Sequence, residues 1–200
     1  MPEGPVVGRE WVLATGNAGK LREFNHRFSA VGIAFRPQSD FQLTGVDETG
    51  TTFVENAILK ARAAAAASGL PALADDSGLC VDALAGAPGV YSARYAGPDA
   101  SDEDNNRQLL AALAGNPNRA AQFCCALVLM THADDPLPLI VQTTWSGRIV
   151  DEPKGRGGFG YDPLFQVDGL SVTSAELSAD DKNRLSHRGQ AITRLLEKLK

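Results

Sequence analysis

The sequence predicts an α/β fold with a mixed sheet, and three observations carry that prediction. A short apolar run at residues 11–14 (WVLA) leads through a glycine loop into a stretch with helical spacing. A second helix signal, opened at Thr52 and closed at Gly69, is followed at once by another short apolar run. Strand-like and helical segments then alternate to the C-terminus, with no linker, repeat or low-complexity tail. This order of elements is that of one α/β domain, here spanning residues 1–200. Residues 1–10 form an extension to which no role is assigned.

The elements follow in order. Residues 11–14 read as a buried strand. After the loop Thr15-Gly16-Asn17-Ala18-Gly19-Lys20, the side chains of Leu21, Phe24, Phe28 and Val31 fall on one helix face, and Gly32 closes the helix. Thr52-Phe53-Val54-Glu55 is a capping box, with Thr52 as N-cap and Glu55 at the third helical position. The alanine-rich run behind it has high helix propensity. Residues 72–74 read as a strand that ends at Asp75-Asp76. Ser101 caps a helix carrying Leu109, Leu110 and Leu113, and Asn116-Pro117-Asn118 is a turn. Residues 123–130 and 139–144 read as strands, the second leading into Trp145. Residues 151–162 are glycine-rich, and Ser186 caps a final helix with Ile192, Leu195, Leu196 and Leu199 as its buried stripe.

Composition narrows the function classes. Of 200 residues, 44% are hydrophobic and 22% charged, as in ordinary globular chains. The net charge of −5 excludes a broad basic footprint for nucleic acid. An anion site must therefore create its positive charge locally or borrow it from a metal ion. The three cysteines include no C-x-x-C pair, which argues against a disulfide framework or a zinc knuckle. Cys124 and Cys125 read as filler on opposite faces of a buried strand. No signal-type run and no 18-residue apolar stretch occurs. The expectation is a soluble cytoplasmic protein with no membrane or nucleic-acid partner.

Five segments carry candidate chemistry. Thr15 to Lys20 resembles a phosphate-binding loop, since amides at a helix N-terminus attract anions and Lys20 adds a charge. It is not a Walker A motif, because only two residues separate its glycines and Leu21 follows the lysine. An ordinary strand-to-helix turn has the same composition. Asn56 and Lys60 share a helix face behind the acidic turn that holds Asp47 and Glu48; both segments also read as solvated surface. Asp75-Asp76-Ser77-Gly78 consists of turn formers, yet it follows an apolar strand, where ligands of α/β sheets bind. Adjacent strand residues point apart, so the two aspartates do not form a proton-sharing dyad; one faces a site and the other supports it. Gly155 to Asp162 lets backbone approach a flat ligand, with Phe159 to stack and Asp162 to accept from an N–H edge. Lys182, His187 and Arg188 place donors at a helix start, where the dipole disfavours cations and an anionic or carbonyl-bearing ligand would compensate.

Together, the ordered set TGNAGK, DETGTTFVENAILKA, ADDSGL, GAPGVYSARYAG, GGFGYDPLF and SHRGQA closely resembles the inosine/xanthosine triphosphate pyrophosphatase family, over residues 12–199. The resemblance implies an elongated mixed central sheet flanked by helices, with two lobes around a central cleft, and a homodimer. It implies Mg²⁺-dependent hydrolysis of a nucleoside triphosphate to monophosphate and pyrophosphate. By the same resemblance, Thr15, Gly16, Asn17, Ala18, Gly19 and Lys20 hold the phosphates and Lys60 contacts them. Glu48 and Asp76 bind the metal, Asp76 is the general base, and Ser77 contacts the nucleotide. Phe159, Gly160, Tyr161, Asp162, Lys182, His187 and Arg188 form the base and sugar pocket.

The chemistry agrees with these roles. Hypoxanthine and xanthine present a carbonyl at position 6 where adenine presents an amino donor. Donors such as His187 and Arg188 meet an acceptor in the first case and a second donor in the second. Rejection of guanine must depend on its 2-amino group, for which no residue is apparent. Three other readings are a pyrophosphatase for modified pyrimidines or 7-methylated guanine, a non-catalytic nucleotide sensor, and a P-loop kinase or ATPase. A sensor has no need of a positioned base, and the glycine spacing disfavours the P-loop.

Overall fold

The protein is described by a computed structural model covering residues 10–200; the first nine residues, most of the extension, lie outside the described part. Six strands form one mixed sheet in the order β2-β1-β3-β4-β5-β6. They are β1 (Glu10–Leu13), β2 (Ala34–Pro37), β3 (Ala72–Val81), β4 (Ala120–Met130), β5 (Leu139–Ile149) and β6 (Phe165–Val167). β1 runs parallel to β2 and to β3, with Trp11 opposite Phe35 and Val12 opposite Ala72. β5 and β6 are antiparallel. The helices are α1 (Ala18–Phe28), α2 (Phe53–Ser68), α3 (Asp102–Ala112), α4 (Ala179–Leu185) and α5 (His187–Lys198).

The chain divides into two compact units. The first holds the described residues through Asp76, with Ala126–Gln142 and Ala191–Lys200. Its core joins Val12, Ala14, Ala72, Ala74, Ala126 and Val128 of the strands to Ala57, Ala61, Ala64 and Ala65 of α2. The alanine run thus does more than favour a helix. Its small side chains form the buried face of α2. The rings of Trp11, Phe24, Phe28 and Phe35 pack edge-on or stacked in the same unit. α2 begins with the predicted capping box at Thr52 and ends at Gly69, whose φ of 68° is left-handed.

The second unit holds Ser77–Cys125 and Thr143–Gln190. Its core gathers Leu79, Val81, Leu109, Leu113, Phe123, Trp145, Ile149 and Phe165. Ser101 caps α3 as expected, accepting from the Asp104 N–H. Ser186 caps α5, its Oγ accepting from the Gly189 N–H.

Several elements depart from expectation. β3 does not end at the aspartate pair but continues to Val81. A charge pair read as a chain break because unpaired buried carboxylates are costly; here each has a lysine partner, so the strand runs through. β5 reaches Ile149, its burial alternating at Val141, Thr143, Trp145 and Ile149. The short β2 and β6 and the seven-residue α4 left too little periodicity to be read. Cys125 is buried filler, but Cys124 is only half-buried and its sulfur lies 3.7 Å from that of Cys80.

Candidate functional site

In the first unit, three charged segments meet. Lys60, one turn along α2 from Asn56, places Nζ 2.5 Å from Asp76 Oδ1, 3.1 Å from Glu48 Oε1 and 3.1 Å from the Asp75 carbonyl. Lys20, at the start of α1, pairs with Asp75 Oδ2 at 3.2 Å. The two aspartates therefore point apart, as strand alternation requires. Asp76 joins Glu48 and Lys60, while Asp75, almost fully buried, anchors the lysine of the glycine loop. Three carboxylates face two ammonium groups, so the cluster carries one excess negative charge. Burial pushes the Asp76 carboxyl above its ordinary value, and Lys60 only partly offsets this against the charges of Glu48 and Asp75. Burial pulls Lys60 down, but the attraction of Asp76 and Glu48 outweighs it and leaves the ammonium above its ordinary value.

The glycine loop is built as a cap. Asn17 Oδ1 accepts the N–H groups of Gly19 and Lys20 at 2.8 and 3.1 Å, and Thr15 Oγ1 accepts the Asn17 N–H. Those three amides, expected to cradle phosphate, are held by the chain itself. A cavity of about 480 Å³ opens beside the loop, lined by Thr15, Gly16, Asn17, Ala18 and side chains from residues 37–44.

The segment that follows Glu48 is tied to the start of α2. Glu55 Oε2 accepts the N–H groups of Thr51 and Thr52 at 2.9 Å and both threonine hydroxyls. Fully buried Asn56 accepts the Gly50 N–H at 2.8 Å through Oδ1. A Cβ at Gly50 would stand 2.6 Å from Glu55 Cβ and 2.7 Å from Asn56 Oδ1, so only glycine fits this turn. The surface reading of Asn56 and Lys60 fails for a physical reason. Their shared face turns to the acidic turn and to β3 rather than to water.

The donor set fits a small hard cation. The Lys60 ammonium is itself a cation held between two carboxylate oxygens. Mg²⁺ is usually held by one or two carboxylates and completes its shell with water and substrate phosphate. Among the described residues, no group of three or more His, Cys, Asp and Glu forms a closed metal cage. Glu48 and Asp76 meet at Lys60 Nζ, which each approaches with one oxygen.

The second unit carries the aromatic segment. Phe159 has an exposed ring, with Lys182 Nζ 4.8 Å and the Arg188 guanidinium 5.8 Å from its centroid. Arg188 is buried and donates to Ser77 Oγ at 2.9 Å. Asp162 is buried; its Oδ2 pairs with Lys182 and accepts the Phe159 N–H at 2.8 Å, and its Oδ1 accepts from Ser174 Oγ at 2.7 Å. Most of its acceptor capacity serves the loop rather than an incoming base. The Tyr161 ring lies in the core, its hydroxyl donating to the Ser92 carbonyl, and burial pushes its pKa well up. The His187 ring stacks on Phe123 at 4.9 Å. Lys182 sits in the last turn of α4, not at a helix start, so the dipole favours it there. Gly158, at φ 77°, lies against the Asp162–Lys182 pair, where a Cβ would collide with the carboxylate. The glycines thus bring the loop close to the protein's own groups, a need indistinguishable in sequence from close approach to a ligand. Ser174 has no sequence signal at all.

The two units carry different kinds of side chain. One unit offers two lysines, three carboxylates and a capped glycine loop. The other offers an open ring flanked by cations. Ser77 follows Asp76 directly on β3, so consecutive residues belong to the two sets.

Comparison with known proteins matches this assembly. The chain is 57% identical over 190 residues to the dITP/XTP pyrophosphatase of Thioalkalivibrio sulfidiphilus, covering 94% of this chain and 97% of that one. It is 55% identical over 189 residues to the dITP/XTP pyrophosphatase of Chromobacterium violaceum, covering 94% and 96%. The solved structure of a HAM1 protein from Coxiella burnetii superposes with a TM-score of 0.92 at 49% identity, covering 95% of this chain and 98% of that one. The Ham1 family model matches residues 11–198. By sequence along nearly its whole length and by fold, the chain belongs to the Ham1 family.

Proposed function

We propose that this enzyme, a nucleoside triphosphate pyrophosphohydrolase, hydrolyses dITP, ITP and XTP to the monophosphate and pyrophosphate. The observation that carries the reading is the Asp76–Lys60–Glu48 cluster beside the Lys20–Asp75 pair. Water attacks the α-phosphorus, the bond from that phosphorus to the bridging oxygen breaks, and pyrophosphate leaves. Asp76 takes the water proton, the task of a carboxylate placed within reach of the attacking water. Lys20 and Lys60 balance charge on the departing pyrophosphate. Gly16 and Ala18 supply loop amides to the phosphates, since those of Asn17, Gly19 and Lys20 are taken by the cap. Glu48 and Asp76 would hold Mg²⁺, which would neutralise phosphate charge and polarise the α-phosphoryl group. Lys60, beside the same two oxygens, would contact phosphate.

In the second unit, Phe159 stacks on the purine, and Arg188 with Ser77 meets its polar edge. Lys182 and Asp162 hold the loop, and Gly160, Tyr161 and His187 shape it. A homodimer in the cytoplasm completes the reading on family resemblance. Among the described residues, no helix is long and apolar enough to cross a membrane.

Hydrolysis of ITP in ¹⁸O-water with Mg²⁺ tests the site of attack. The label is expected in inosine monophosphate; label in pyrophosphate would place attack at the β-phosphorus. The Glu48 turn is tested by Gly50→Ala. Residues supporting metal ligands typically contribute 10–100-fold in metal affinity. The variant should therefore need roughly tenfold more Mg²⁺ for half-maximal rate and bind Mn²⁺ correspondingly more weakly by calorimetry. Unchanged Mn²⁺ affinity would detach this turn from metal binding.

A further inference from the structure

We propose that Asp102 and Asn106 of α3 are positioning residues that hold Phe159 for the nucleobase. The inference rests on the reading of Phe159 as the base-stacking ring. The Gly160 N–H donates to Asp102 Oδ2 at 2.6 Å, and Asn106 Nδ2 donates to the Gly160 carbonyl at 2.9 Å. The two side chains lie four residues apart, on one face of the helix. They grip both peptide groups of Gly160, one of which is the peptide bond that follows Phe159. On the other side, the Phe159 N–H is held by Asp162. The backbone of Phe159 is thus held at both ends, while the residue remains 56% exposed. Such a residue is rigid in position and open in contact, as a stacking platform requires. Gly160 adopts a left-handed φ of 61°, and the grip secures that conformation.

Two details argue that this is more than helix capping. The cap of α3 is already complete without Asp102. Asp104 Oδ2 accepts the N–H and hydroxyl of Ser101, and Ser101 Oγ accepts the Asp104 N–H. Asp102 is thereby free to reach the loop. Asn106 makes its bond to Gly160 at a cost, because its buried Oδ1 has no hydrogen-bond partner. A residue serving only packing would be apolar here; this amide is retained for what its donor does. Nothing in the α3 sequence beyond its capping box suggested either role.

The test uses Asp102→Ala, Asn106→Ala, the conservative Asp102→Asn, and Phe159→Ala alone and combined with Asp102→Ala. KM and kcat for ITP are measured together with Tm. Base–aromatic stacking of ordinary strength predicts that Phe159→Ala raises KM by roughly tenfold or more. Asp102→Ala and Asn106→Ala should raise KM by several-fold toward that limit, with kcat changed by less than about threefold. Asp102→Asn keeps an acceptor oxygen and should recover most of the parental KM. In the Phe159→Ala background, Asp102→Ala should have no further effect on KM. An unchanged KM in Phe159→Ala would overturn the reading of the ring, and the inference with it. A raised KM in Phe159→Ala with an unchanged KM in Asp102→Ala would overturn the inference alone. So would an equal effect of Asp102→Ala in both backgrounds, or a loss that merely tracks Tm and persists in Asp102→Asn.

Discussion

Asp76→Asn lowers kcat for ITP by at least about 10²-fold, the range for a lost general base, while the protein stays folded. The substitution keeps size and hydrogen-bonding shape but removes the proton acceptor. Stability should not fall with it. The Asp76 pKa is raised on folding, so its favourable contribution belongs to the neutral form. That contribution is present below the ordinary carboxylate pKa and is lost as pH rises through the folded value. Near neutral pH the burial of the ionised carboxylate opposes folding while its attraction supports the Lys60 ammonium, so asparagine should leave Tm nearly unchanged. Lys60 retains Glu48 and the Asp75 carbonyl as partners. A kinetic collapse with an intact melting curve separates chemistry from folding. A normal kcat would remove Asp76 from proton transfer.

Asp162→Ala acts in the opposite way, through structure first. Its buried carboxylate holds Lys182, the Phe159 N–H and the Ser174 hydroxyl together. Removing one partner of a buried charge pair typically costs about 3–5 kcal/mol. Lys182 retains some contact with water, which places the expected loss near about 3 kcal/mol. For a chain of this size that is a fall in Tm of roughly 6–12 °C. KM for ITP should rise, because the Phe159 backbone loses a tether. Asp162→Asn should fall between, since it keeps an acceptor but loses the charge. Parental melting in Asp162→Ala would show that the loop is held elsewhere.

The contrast between these two aspartates shows what the sequence makes legible. Both lie in motifs that local chemistry marks as sites. The position of Asp76 followed from strand alternation, which separates it from Asp75 wherever the strand ends. The lysine partners of Asp76 and Asp75 did not follow, because Lys60 and Lys20 lie 16 and 55 positions away from them in sequence. For the same reason β3 was read as stopping at a pair that it crosses. Asp162 reads in the sequence as an acceptor for a base edge, yet in the structure its oxygens hold Lys182, the Phe159 N–H and Ser174. Glycine loops that approach a ligand and glycine loops that approach their own protein obey one steric rule. The capping box at Thr52 and the N-cap at Ser101 were readable because they are purely local. The grip of α3 on Gly160 was not, because it joins segments more than 50 residues apart with no motif on the helix side.

One measurement tests the central account most directly: kcat/KM for ITP, dITP, XTP, ATP and GTP with Mg²⁺, with pyrophosphate and orthophosphate quantified separately. A polar site matched to the 6-carbonyl predicts that ITP, dITP and XTP are preferred over ATP by up to about 10⁴-fold. One pyrophosphate should be released per nucleotide. Comparable rates on ATP, or release of orthophosphate as the primary product, would contradict it.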